Sequence, residues 1–241
     1  MKTNQRPTVA LFLISIGFFL ASLRPVLAIA RELDDQVCDV SADYALGVED
    51  YAEAIRLHRE VIRSNPDDAL AHYHLGFAEG MLGNISEEMR EYAQARKLGL
   101  RLWDLFLNLG LVQLEVNDVH GATDSLRTAV LLGGEHPETH FTLALAEERR
   151  GAFANAERET RRSLALSPND VDARNLIGVI YAAEGRTANA ALVWRLILKD
   201  LPDYEPARKN LILLDSTNQV VPVDTLELPR SPTITHQQTP D

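Results

Sequence analysis

The chain repeats itself every 34 residues with no insertion or deletion, and few folds accommodate that. Units fall at 35–68, 69–102, 103–136, 137–170 and 171–204, and a sixth begins at 205 and stops after one helix length. The eighth place of each unit is small: Ala42, Gly76, Gly110, Ala144 and Gly178. The seventh reads Ser41, Leu75, Leu109, Leu143 and Ile177, and continues with Leu211. A period of this length marks a solenoid, in which each unit is one supersecondary element whose apolar faces are covered by its neighbours.

Each unit divides into two helical stretches joined by a turn. In the second unit these are Ala69 to Met81 and Ser86 to Lys97, with Gly83-Asn84 between them. Gly151, Gly185 and Asn117 hold the same place in later units and tolerate a left-handed backbone. Unit one has Glu49 there and Gly47 two residues earlier, so its turn is expected to be built differently. The small eighth-place residues let two antiparallel helices approach closely, with Ala54, Ala122, Ala156 and Ala190 opposite them. Glu88 breaks that second series, and a carboxylate at a helix crossing requires a local adjustment. Tyr92, Leu126 and Trp194 share one place and are expected to fill the spaces between units. Pro66, Pro168 and Pro202 stop second helices, and the Asp or Asn that follows can cap the next.

Leu75-Gly76, Gly83, Tyr92 and Ala95 in one unit, and Ile177-Gly178, Tyr181, Gly185, Ala190 and Pro202 in another, carry a resemblance to the tetratricopeptide repeat family. It covers residues 35–215. The resemblance implies an all-α, right-handed α-solenoid of five helix-turn-helix repeats plus a C-terminal capping helix. Ile212 is bulky where the other eighth places are small, as suits a cap with no second helix to receive, and Lys209, Asn210 and Asp215 give it polar exposure.

The ends of the chain differ in kind. Lys2 and Arg6 precede an apolar run from Val9 to Leu23, then Arg24-Pro25 and Ala28-Ile29-Ala30. That pattern describes a secretory signal peptide over 1–30, cleaved after Ala30, or an uncleaved membrane anchor over 9–23. The run is short of the ~20 residues of a spanning helix. Either way the solenoid is expected to be exported, in a periplasm or outside the cell. Residues 216–241 hold Pro222, Pro229, Pro232 and Pro240 with no apolar period, and read as a disordered tail.

The formal charge is −11, and loss of the three basic residues of 1–30, which have no acidic counterparts, takes it to −14. An acidic domain is repelled by phosphate backbones and anionic lipid, so no nucleic-acid partner is expected. The acidic residues of the first unit, Asp39, Asp43, Glu49, Asp50 and Glu53 among them, read as a solvated cap. The arginines of unit four (Arg149, Arg150, Arg158, Arg161, Arg162) alternate with glutamates and read as a solvated face.

No cofactor and no metal site emerges from spacing. His72 and His74 are two apart on a helix and point in nearly opposite directions, and Pro137 separates His136 from His140. The lone Cys38 reads as a half-buried residue of the first helix. No Gly-rich phosphate loop, Gly-x-Ser-x-Gly elbow or Cys-x-x-Cys pair occurs, and the repeats use nearly all the ordered chain, which argues against an enzyme.

In the resembled family the first helices line a concave groove with their second, fifth, ninth and twelfth places. The fifth and ninth places of the middle units are Tyr73, Phe77, Leu107, Leu111, Phe141 and Leu145, the expected partner-binding residues. Each could equally belong to the inter-repeat core. As an open strip they would suit an apolar helix or strip of a partner protein. Two functions follow: a non-enzymatic interaction scaffold, with assembly of an envelope or secretory complex as one setting, or a self-associating solenoid whose strip is covered by its tail or another copy.

Overall fold

A computed structural model describes residues 37–217, which form eleven helices and no strand among them. The expected leader over 1–30 and all but the first two residues of the expected 216–241 tail lie outside the described residues. The first helices of the units are α1 Val40–Gly47, α3 Ala69–Met81, α5 Trp103–Glu115, α7 Pro137–Arg149, α9 Val171–Ala183 and α11 Glu205–Thr217. The second helices are α2 Tyr51–Ser64, α4 Ile85–Lys97, α6 Val119–Leu132, α8 Phe153–Leu166 and α10 Thr187–Asp200. From α2 onward every helix begins 34 residues after its counterpart, so the sequence period is the structural pitch. The exception is α1, which begins at Val40 after Asp39 has capped it from its side chain. At the other end α11 runs to Thr217, two residues into the segment read as tail.

The turn inside each unit is the same device five times. Glu49, Gly83, Asn117, Gly151 and Gly185 all have positive φ, between 62° and 77°. The next residue's amide then donates to a carbonyl five residues back: Asp50 to Ala45, Asn84 to Glu79, Asp118 to Gln113, Ala152 to Glu147 and Arg186 to Tyr181, at 2.8–2.9 Å. This closes the helix with a Schellman motif. The first unit's turn is therefore not built differently; Glu49 adopts the left-handed conformation despite its Cβ. Caps follow the expected chemistry, Asp68 accepting from the Ala71 amide and Asp170 from the Asp172 and Ala173 amides. Each such cap contributes about 1 kcal/mol.

Packing within a unit depends on matched volumes. A Cβ on Gly76 would lie 2.8 Å from Tyr92, one on Gly110 2.5 Å from Leu126, and one on Gly178 2.4 Å from Trp194. The three glycines thus face the three largest residues of the Tyr92–Leu126–Trp194 place, and the two units with alanine carry His58 and Thr160 there. These large residues lie against their own unit's first helix, not only in the spaces between units. Glu88 is accommodated in the same way. It is buried, and Gly80 opposite leaves room for it, a Cβ there meeting the Glu88 carboxyl carbon at 2.5 Å. Units one and three hold the reverse pairing at these places, Leu46 with Ala54 and Leu114 with Ala122. Relative to them, large and small have exchanged sides across the crossing.

The apolar core is strung along the solenoid. Its central stretch joins Leu107, Leu111, Leu126, Phe141, Leu145, Leu176 and Ile180 from three successive units. At the C-terminal end Ala207 and Leu214 of α11 close it over Trp194 and Ile197, while Ile212 is 63% exposed. Asn210 is not part of the polar outer face of this cap. It is buried and its amide donates to Asn175 Oδ1 at 3.2 Å.

Candidate functional site

The seam between consecutive first helices decides the fate of the expected groove residues. Asn108, at the sixth place of its unit, donates to the Tyr73 hydroxyl, at the fifth place of the preceding one, at 3.3 Å. Asn210 and Asn175 repeat the relation three pitches further on. The fifth place therefore faces the next first helix, and the ninth lies on the same helix face one turn later. As a result Tyr73, Leu107, Leu111, Phe141 and Leu145 are each no more than 6% exposed. Only Phe77 of the six is partly open, and it meets the Tyr51 ring edge-on at 6.5 Å. The expected apolar strip is thus packed core along most of its length, not an open groove. Helix α7 carries this furthest, being buried continuously from Thr139 to Glu148.

A polar ladder ties three of the five second helices to the next unit's first helix with a 20-residue step. Arg59 donates to Glu79 at 2.6 Å, Arg127 to Glu147 at 2.8 Å and Arg161 to the Tyr181 hydroxyl at 3.2 Å. Both glutamates are buried, so each arginine supplies the countercharge its carboxylate needs away from water. Units two and four share a second buried pair. His72 meets Glu91 and the Pro66 carbonyl, and His140 meets Glu159 and the Gly134 carbonyl. Arg150, Arg158, Arg161 and Arg162 lie on the exposed face, whereas Arg149 turns inward and donates to the Leu114 carbonyl at 2.8 Å. Burial lowers the Arg149 pKa and raises that of its neighbour Glu148.

Donors from four separate segments meet in the first unit. Cys38 precedes α1, Asp43 lies on α1, His58 on α2 and His74 on α3, and one ligand atom from each falls within 4.8 Å of all the others. Cys38 is half-buried, as expected, but sits at a bend before the helix rather than in it. Asp43 does not belong to a solvated acidic cap. Its Oδ2 accepts from the Cys38 amide at 3.0 Å, and its Oδ1 faces His74 Nδ1 at 2.7 Å, His58 Nε2 at 3.2 Å and Cys38 Sγ at 3.4 Å. Burial works against the Asp43 charge, but hydrogen bonds with His58 and His74 outweigh it and hold the carboxyl far below its ordinary range. Burial, and next the Asp43 carboxylate, push the Cys38 thiol far above its usual value. No spacing rule reveals this cluster, because its members are brought together by the packing of three helices. His72 and His74 do diverge, and that divergence is what frees His74 for it.

The Tetratricopeptide repeat family model matches residues 40–99 and 107–170, together more than half of the chain. The chain belongs to the tetratricopeptide repeat family. Among curated proteins it resembles cytochrome c-type biogenesis protein CycH of Bradyrhizobium diazoefficiens, at 27% identity over 148 residues. That match takes in 59% of this chain and only 39% of the relative's length. Among solved structures it is similar to YrrB, described as a TPR protein with an unusual peptide-binding site, with a TM-score of 0.67 at 21% identity, covering 70% of this chain and 87% of YrrB. MamA superposes with a TM-score of 0.60 at 17% identity, covering 74% of this chain and 98% of MamA. A tetratricopeptide repeat protein from Parabacteroides merdae gives 0.65 at 15% identity, covering 72% of this chain and 69% of that one. At these identities the structural likenesses establish the fold alone.

Proposed function

We propose that this chain is an exported, non-enzymatic scaffold that holds a partner protein during assembly of an envelope complex. The observation that carries the reading is the uninterrupted run of eleven helices at a single 34-residue pitch, an architecture suited to presenting surface along its length. The likeness to CycH gives assembly its concrete form, a part in c-type cytochrome biogenesis. Export rests on the basic, apolar and small-x-small order of residues 1–30. Of the six residues read as partner-binding, Phe77 has surface to offer; the other five shape the seam behind it.

Capture of partners from the native exported fraction, followed by mass spectrometry, tests the reading. Recovery of a c-type cytochrome or its assembly proteins is expected, and Phe77→Ser is expected to reduce capture at unchanged helicity. Recovery of neither, with the protein folded and exported, overturns it.

A second reading is self-association, and it has its own observation. Val40 and Tyr44 on α1 and Val48 at its C-cap recur every four residues and are 76%, 70% and 53% exposed, an apolar face largely open among the described residues. Light scattering decides between them: a dimer that Tyr44→Glu converts to monomer supports self-association, and a monomer at all concentrations excludes it.

A further inference from the structure

We infer that Cys38, Asp43, His58 and His74 form a tetrahedral site for a single zinc ion, which clasps the first repeat to the second.

Three of the donor separations are those of a zinc coordination sphere. With Zn–S of about 2.3 Å and Zn–N or Zn–O of about 2.0–2.1 Å, a tetrahedron has sulfur-to-nitrogen or sulfur-to-oxygen edges of about 3.5 Å and nitrogen-to-oxygen edges of about 3.3 Å. Cys38 Sγ lies 3.4 Å from Asp43 Oδ1 and 3.6 Å from His74 Nδ1, and His58 Nε2 lies 3.2 Å from Asp43 Oδ1. The His74 Nδ1 to Asp43 Oδ1 distance, 2.7 Å, must open by about 0.6 Å, a small rotation of two side chains, and the edges from His58 to Cys38 and to His74 lie within 4.8 Å. One thiolate, two imidazoles and one carboxylate are a borderline-soft donor set that suits zinc better than the oxygen-seeking magnesium or calcium.

Hydrogen bonding around the cluster points the same way. The Nδ1 of His58 is 2.8 Å from the Ala54 carbonyl, an acceptor, so this nitrogen carries the proton. Nε2 is then the nitrogen that faces the cluster: it donates to Asp43 when the ring is protonated and offers its lone pair to a cation when it is not. A backbone carbonyl holding the far nitrogen is also how metal-ligating histidines are oriented. Asp43 Oδ1 has two lone pairs and three polar neighbours, while Oδ2 is anchored by the Cys38 amide at 3.0 Å. The carboxylate is thereby fixed with one oxygen presented to the cluster. His58 is fully buried and the Asp43 and His74 side chains are each 14% exposed, so competing water is largely excluded. On binding, the Cys38 thiol releases its proton to solvent as the S–Zn bond forms.

The site joins the stretch before α1 to α1, α2 and α3. Helix α1 has only eight residues against thirteen or fourteen in the others, and it is the first helix among the described residues. A metal there adds a link that its short length leaves to few side chains.

The test uses the untagged full chain, stripped with chelator and titrated with zinc chloride by calorimetry, and separately with cobalt(II) as a spectroscopic probe. One zinc per chain is expected, with a rise in melting temperature. The cobalt form is expected to show intense tetrahedral d–d bands and a thiolate charge-transfer band. The chain has a single cysteine, so that band reports Cys38 even if a variant fails to fold. Cys38→Ser and His74→Ala are each expected to weaken zinc binding by more than about 100-fold, beyond the range of outer-shell changes. Replacing the exposed His120 leaves binding unchanged. Absence of stoichiometric zinc binding, a cobalt spectrum without the thiolate band, or binding that survives both ligand substitutions overturns the inference.

Discussion

Adding one methyl group at Gly178 tests whether the glycines of the eighth place exist to receive the side chain opposite. A Cβ there would lie 2.4 Å from Trp194 Nε1 and 2.7 Å from Cε2, where ordinary contact is about 3.5–4.0 Å. Trp194 is fully buried between α9 and α10, and its ring cannot bend away as a flexible chain end can. The clash therefore has to be relieved by moving the helices apart, an overpacking cost of about 1–3 kcal/mol. Replacing a mid-helix glycine by alanine returns about 0.8–1 kcal/mol of backbone entropy. The net for Gly178→Ala is a loss of about 0–2 kcal/mol. Gly47 supplies the control, because a Cβ there meets nothing within 4 Å and its φ is not positive. Gly47→Ala is expected to gain about 0.5–1 kcal/mol. Urea denaturation followed by far-UV circular dichroism measures both, and hydrogen exchange locates the loss in α9 and α10. If Gly178→Ala stabilises the protein as Gly47→Ala does, the volume-matching account of the crossings is wrong.

Glu49→Gly relieves a left-handed residue bearing a Cβ and is expected to stabilise by about 1 kcal/mol, read as a higher denaturation midpoint; a loss of stability contradicts the shared turn. Gly80→Leu is expected to destabilise strongly alone and Glu88→Ala to rescue it, since together they install the Leu114–Ala122 pairing of unit three. A double-mutant cycle should give about 1–3 kcal/mol of favourable coupling, and strict additivity would refute the exchange of sides. Tyr204 donates its hydroxyl proton to Asp172 and ties the cap to α9. Burial raises the Asp172 pKa and Asp170 adds to this, while the Tyr204 bond opposes both. An aspartate raised in the folded state binds its proton more tightly there, so its charge opposes folding above that pKa and the penalty fades as pH falls through it. Tyr204→Phe is expected to raise the Asp172 pKa further and to cost about 1.5–3 kcal/mol at neutral pH. A carboxyl titration by NMR that leaves Asp172 unchanged refutes this.

The sequence by itself determined the fold and its phase. Helix starts 34 residues apart, left-handed turns at Gly83, Gly151, Gly185 and Asn117, and caps at Asp68 and Asp170 are local matters of backbone conformation and apolar period. Glu49, whose turn matches the others against expectation, and Glu88, where the expected local adjustment is found, both fall on repeat places that the period marks. Tertiary structure decided which faces of the first helices meet. The fifth and ninth places read equally well as groove or core, because periodicity identifies an apolar face without identifying its neighbour. The seam between successive helices resolved that by burying Tyr73, Leu107, Leu111, Phe141 and Leu145. Packing also assembled Cys38, Asp43, His58 and His74. Their separations in the chain fit no ligand motif, since a site drawn from four segments is fixed by how three helices cross and not by spacing along any one of them.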